Sequence, residues 1–311
     1  MTTPYPFLLL AHGLLALGMP FFLVGCINRT KAWWCGRKGP GLWQSFYDLR
    51  RLLAKRPVVS STSTPVFRMG AWVVLACTLL AMALVPLFGQ FTPVGFPLDF
   101  VAMAYVLGLG RMALLLSAMD VGSPFEGMGA SREAMLGAFA EPALFLVLGT
   151  AAAATGMGSF AAMLGQLHTT PAYGLIALPV VLALLVLLQT EAARMPVDDP
   201  ATHLELTMIH EVMVLDHSGA ELAAMQYAAA LKLTLYAGLI ATLLNPFHPL
   251  QEPVLAVGVG ALTMVGVAVA VGCFESLMAR LPLPLVPRYV WLAGWLAGAA
   301  ALVVGVLGAK A

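Results

Sequence analysis

Apolar runs of about 20 residues recur along the chain, each long enough to cross a hydrocarbon core of roughly 30 Å as a helix. They fall near 6–27, 69–89, 98–118, 133–155, 172–190, 224–245, 254–275 and 289–309. The connections alternate between long polar ones (28–68, 119–132, 191–223, 276–288) and short ones (90–97, 156–171, 246–253). Eight spans predict an all-α, polytopic integral membrane protein, a single membrane domain over 1–311, with both ends on one side. One further element breaks the rhythm. In "CGRKGPGLWQSFYDLRRLLAKRPVV" (35–59), Leu42, Trp43, Phe46, Leu49 and Leu53 share one helical face, opposite Gln44, Asp48, Arg51 and Lys55. That pattern predicts a helix lying in the interface plane after the first span. Gly39-Pro40-Gly41 supplies the turn into it. Arg50 lands in the apolar stripe, where it must snorkel or meet a carboxylate.

Composition agrees with the spans. The chain is 60% hydrophobic and 10% charged, against roughly a quarter charged in a soluble domain. A formal charge of +1 gives no ground for nucleic-acid binding. The four cysteines are scattered without a CxxC pair, so neither a metal cluster nor a disulfide framework is expected. The first run lacks a basic segment before it and a small-residue cleavage site after it, and reads as a retained helix rather than a signal peptide.

Charge then sets orientation. Nine of the sixteen Lys and Arg residues lie between Arg29 and Arg68. The four long loops hold thirteen, while the opposite side holds Lys310. By the positive-inside rule these loops face the cytoplasm and both termini the outer side of the inner membrane. A basic loop, 28–68, then faces an acidic loop, 191–223, across one surface that would dock other subunits.

Some charges fall where they are expensive. Arg111, Glu141, Glu191, Lys232 and Glu275 lie inside or at the end of predicted spans. An ionisable group there costs several kcal/mol unless paired or hydrated. Either they form a chain of acids and bases leading inward from the inner surface, or they are static ion pairs that fix helix packing. Pro142, directly after Glu141, frees backbone there. In the acidic loop, Asp199-Pro200 is a good helix start. His203, His210 and His217, spaced by seven, would then form one solvated or subunit-facing helical stripe. That spacing is too wide for one metal ion. "GSPFEGMGAS" (122–131) lacks the Lys-Ser/Thr ending of a phosphate loop.

Taken together, these segments resemble a known family. "GRKGPGLWQSFYDLRRLLAK" resembles the Arg-x-Gly-Pro loop after the first helix in subunit 1 of respiratory complex I. "SREAMLGAFAEPALF" (131–145) and "EAARMPVDDPATHLEL" (191–206) are similar to its Arg/Glu and Glu-x-x-Arg-x-Pro-x-Asp segments. "RKGPG", "DVGSPFEGMGASREAMLG" (120–137), "HSGAEL" and "FESLMARL" (274–281) look most like the branch in membrane-bound [NiFe] hydrogenases and formate hydrogenlyase. Where the family tends to have further carboxylates after Asp198, this chain has Ala201 and His203, leaving Asp199 and Glu205.

The resemblance implies a membrane anchor and coupling subunit of a hydrogenase-type, complex I-related oxidoreductase. It would link peripheral electron transfer to proton or sodium movement while binding no cofactor itself. Its partners would be a peripheral hydrogenase-like large subunit, an iron–sulfur small subunit and antiporter-like membrane subunits. Those partners would carry the iron–sulfur clusters and a NiFe centre. Arg37, Lys38, Gly39, Pro40, Arg50 and Arg51 would form the docking floor. Asp48, Arg132, Glu141, Glu191, Arg194, Asp198, Asp199, Glu205, Glu275 and Arg280 would form the proton-coupling site. The alternatives are a quinone-site subunit of a NADH-quinone oxidoreductase, with a tunnel opening to lipid between the first span and the interfacial helix, a purely structural anchor, or a secondary transporter.

Overall fold

The computed structural model describes residues 5–170, 173–198 and 208–308. Ten α-helices follow in order: α1 Tyr5–Trp34, α2 Gln44–Leu53, α3 Pro65–Leu84, α4 Asp99–Asp120, α5 Pro124–Thr155, α6 Phe160–Gln166, α7 Tyr173–Glu191, α8 Gly219–Leu244, α9 Pro253–Leu277 and α10 Val286–Gly308. No strand occurs among the described residues. Among the described residues, eight helices are long and apolar enough to span a bilayer, and they match the eight predicted runs. The short α2 carries the predicted amphipathic pattern, with Trp43, Phe46 and Leu53 exposed. It rests on α1 and α8.

α8 is the central helix, and every residue from Leu231 to Leu243 is buried. α3 packs along α4, α1 along α9, and α10 into the groove between α5 and α7. A second apolar cluster lies at the end of the bundle that carries the 28–68 loop, called the inner end after the orientation the charges predict, with the opposite end called outer. In this cluster Met208, Val212, Met213 and Val214 wedge between α3, α4, α5 and α8, against Ala71, Leu114, Ala130 and Ala224. This wedge positions the polar site described below.

Three expectations need correction. Residues 119–132 are not a long loop: α5 begins at Pro124, and only 121–123 separate it from α4. Extended Ser123 followed by proline at the first helical position starts that helix. Three acids of the 191–223 loop, Glu191, Asp198 and Glu221, are buried rather than on its surface, while Asp216 is exposed. The histidine stripe is absent as well. Residues 208–218 form turns around a short 3-10 segment, Glu211–Val214, so His210 and His217 share no helical face. His217 is buried, with its ring stacked 3.9 Å from that of Phe67. His203 and the Asp199-Pro200 helix start lie outside the described residues.

Candidate functional site

Arg111 is the hub of the polar interior. It stands near the middle of α4 and is buried among carboxylates from two other helices. Its Nε lies 3.4 Å from Glu133, and Nη1 donates to Glu141 over 2.7 Å. Nη2 donates to Glu191 at the end of α7. The other Glu191 oxygen lies 3.6 Å from Lys232 Nζ on α8. Four helices thus meet through five ionisable side chains.

Local sequence builds this arrangement. Glu133, Gly137 and Glu141 recur every four residues, so they share one face of α5. The glycine stands where the guanidinium crosses. A Cβ at Gly137 would sit 2.5 Å from Arg111 Nη1 and 3.0 Å from its Cδ.

A second set of pairs lies nearer the face that carries the 28–68 loop. Asp198 accepts from Arg280 Nη2 at 2.8 Å and from the backbone N–H groups of Ile209 and His210. Buried Glu275 meets Lys31 Nζ at 2.8 Å and lies 3.6 Å from Arg194. Arg132 Nη1 donates to the Met208 carbonyl at 2.7 Å, tying α5 to the wedge. His210 lies among these charges. Burial, reinforced by the Lys232 ammonium, pushes its pKa down to about 4, so its ring is neutral at pH 7.

These groups flank a polar cavity of about 520 Å³ between α1, α2, the 192–194 turn and α8. Lys31, Asp48, Arg194, His210 and Glu211 line it. Beside it, between α1 and α2, an apolar groove of about 470 Å³ faces the bilayer. Phe21 borders both spaces. Its ring stands 5.4 Å from Phe46 and 5.0 Å, stacked, from Tyr227. This aromatic stack lies between the groove and the cavity.

The predicted site residues therefore fall into groups. Glu141 and Glu191 meet on Arg111, Asp198 pairs with Arg280, and Arg194 with Glu275. Asp48 joins Arg194 on the cavity wall, where it accepts from Gln44 at 2.9 Å. Asp199 and Glu205 lie outside the described residues. Of the predicted docking residues, Arg37, Lys38, Pro40, Arg50 and Arg51 are exposed. Gly39 is tucked against Arg29 and Ala32, where a Cβ would lie 3.0 Å from each.

Sequence reasoning singled out Arg111 and Lys232 as costly charges without assigning them to the site, and it passed over Glu133. The four-residue spacing of Glu133 and Glu141 was the signal that could have placed it. Glu221 was likewise left in the loop; it is buried on α8 and bonds Arg68 at 2.6 Å. Among the described residues, no three His, Cys, Asp or Glu side chains are grouped as a metal ion requires.

Fold and site together define a multi-pass helical membrane protein built around an intramembrane ion-pair network. The family model for NADH dehydrogenase matches residues 7–305. The chain belongs to that family, in the form resembling subunit 1 of complex I, and is a membrane subunit of that oxidoreductase class. It is 32% identical over 292 residues to hydrogenase-4 component C of Escherichia coli, covering 91% of this chain and 90% of that protein. It is 28% identical over 303 residues to formate hydrogenlyase subunit 4 of the same organism, covering 94% and 95%. A chain of the archaeal membrane-bound sulfane sulfur reductase, a respiratory membrane complex, shares the fold. Its TM-score is 0.80 at 18% identity, over 96% of this chain and 99% of that one. Each relative is a part of a larger assembly.

Proposed function

We propose that this chain is the membrane anchor and coupling subunit of a hydrogenase-type oxidoreductase. It links electron transfer in a peripheral arm to proton or sodium movement through the bilayer. The arm carries a hydrogenase-like large subunit with a NiFe centre and an iron–sulfur small subunit. It sits on the exposed basic floor around Arg37, Lys38, Arg50 and Arg51. Antiporter-like subunits adjoin in the membrane, and both termini face outward from the inner membrane. The names of the two curated relatives support the hydrogenase branch.

One observation carries the coupling role. Acids and bases run from the inner-end pairs Asp198–Arg280 and Arg194–Glu275, past His210, to Arg111 and Glu141 inside the bundle. Glu141→Gln keeps the size of the side chain and its hydrogen bond to Arg111 but removes its charge. In the intact complex reconstituted into vesicles, electron transfer from an artificial donor should continue while ion uptake falls to background. Failure to assemble would instead make the cluster a structural fastening.

A quinone-site role is the second reading, favoured by the polar cavity beside a lipid-facing groove. Phe21→Ala should then speed quinone reduction by opening the passage. No quinone-dependent activity in either form would remove this reading.

A further inference from the structure

Glu141 occupies a place where a carboxylate is hard to keep. One oxygen is held by Arg111, yet 46% of the side chain is exposed on the outer wall of the chain. Its surroundings there are apolar. Tyr105 on α4 and Phe145 on α5 flank it, with ring centroids 6.0 Å apart. Leu109 and Met112 are exposed along the same helix as Tyr105. Gly108, whose Cβ would lie 3.6 Å from Glu141 Oε1, stands near the midpoint of the 22-residue α4. The level is therefore close to the bilayer centre. A charged side chain facing lipid at that depth costs about 2.5–3.5 kcal/mol or more.

A second polar group shares this wall. Pro142 lies inside α5 and is exposed, as is Ala138 one turn earlier. Proline has no N–H to give, so the Ala138 carbonyl loses its usual helical donor. Backbone left open at membrane depth is tolerated where protein or trapped water covers it, not lipid. The Glu141 carboxylate and the Ala138 carbonyl are both acceptors. By formal charge, Glu133, Glu141 and Glu191 also outnumber Arg111 and Lys232 by one. The cover this wall requires is thus a donor, not a further acid and not an acyl chain. Gly108, half-buried beside Glu141, leaves room there for a close approach.

We infer that the α4/α5 wall is an intramembrane contact with a transmembrane helix of another subunit. That helix presents a hydroxyl, amide or basic side chain to Glu141 and the Ala138 carbonyl. The contact rests on the reading that the chain works within a multisubunit membrane complex, but it stands or falls separately from ion coupling.

The test is photocrosslinking within the intact complex in native membranes. The photoreactive residue p-benzoylphenylalanine replaces Phe145 in one variant and Met112 in another, and the crosslinked peptides are sequenced after purification. Both positions should capture one transmembrane segment of a different chain, with Ser, Thr, Tyr, Asn, Gln, His, Lys or Arg within a turn of the attachment point. If one probe blocks assembly, the other decides. Replacing the identified donor with alanine should lower the melting temperature of the complex, and Glu141→Gln should shrink that loss. Adducts with lipid alone, with a second copy of this chain, or with a segment lacking a donor overturn the inference.

Discussion

Buried polar side chains gather at both ends of the bundle, and the two ends satisfy them in different ways. At the outer end the partners are mainly backbone. Asn245 donates to the carbonyls of Phe88 and Ala256 at 2.9 and 2.8 Å. Thr242 donates to the Pro86 carbonyl, Asp99 accepts from the Phe160 N–H, and His12 bonds the Met82 carbonyl. Each fastens a loop or helix end, where peptide groups lack helical partners anyway. Toward the inner end, Arg111, Glu133, Glu141 and Lys232, inside their helices, and Glu191, at the last residue of α7, pair with one another. A helix interior has no spare peptide groups, so charges there are balanced only by other charges. Hydrogen bonds to backbone hold one geometry, whereas mutually paired charges change their energy whenever one of them gains or loses charge. The inner cluster is therefore the more sensitive of the two to a change of charge.

The largest effect should come from removing the hub. Arg111→Met leaves Glu133 and Glu191 buried beside too few cations, and breaking a buried pair in this way costs about 3–5 kcal/mol. The variant should be nearly absent from purified complexes, as measured by its abundance in membranes. Normal abundance would mean that the carboxylates are not held by charge, and the contrast between the two ends would fail. Asn245→Ala is the matching test at the outer end. It strands two carbonyls, a loss of about 1–3 kcal/mol. The complex should melt earlier in detergent while ion uptake per electron stays unchanged. Altered coupling would give the outer end a role it is not assigned here. Gly137→Ala should fall in the same range, about 1–3 kcal/mol, because the added methyl meets the Arg111 guanidinium. Unlike Asn245→Ala, it should also change coupling, since it displaces the hub.

The spans were legible because length and apolarity dominate any other signal in a bilayer. The interfacial helix was legible because its two faces differ so sharply. The start of α5 was not. The glycines and the proline from 122 to 131 read as loop, while the fold uses one of the glycines as a packing surface: a Cβ on Gly129 would press 2.9 Å from Met213. The charges of the site were visible one at a time, as residues too costly to be idle. Their pairing was not visible. It joins positions 30 and 80 residues apart through helix packing, which periodicity along a single helix does not encode. The turn that buries His217 was missed because a seven-residue spacing imitates a helix, whereas stacking on Phe67 and packing of the 208–214 wedge decide the outcome.

The smallest effect separates the wedge from both ends. His217 carries a pKa lowered from 6.5 to about 4, chiefly by burial; Glu221 and Asp216 push the other way but do not prevail. Its ring nitrogen lies 3.2 Å from Ser117 Oγ, and that hydroxyl already donates to the Phe67 carbonyl. With the pKa depressed in the closed form, the released loop binds a proton more readily than the packed one. Closure is therefore fully favoured above about pH 6.5 and weakens as the pH falls toward 4, by at most about 1.4 kcal/mol per unit for one group. Hydrogen exchange across 208–218, corrected for its intrinsic pH dependence, should show opening that rises below pH 6 and stays flat above 7. His217→Gln should flatten that rise. His210, lowered to a similar value, adds to the slope, so the double variant should change it more than His217→Gln alone. An acid response of the loop that persists unchanged in the double variant would mean that global loosening, rather than its buried imidazoles, opens the wedge.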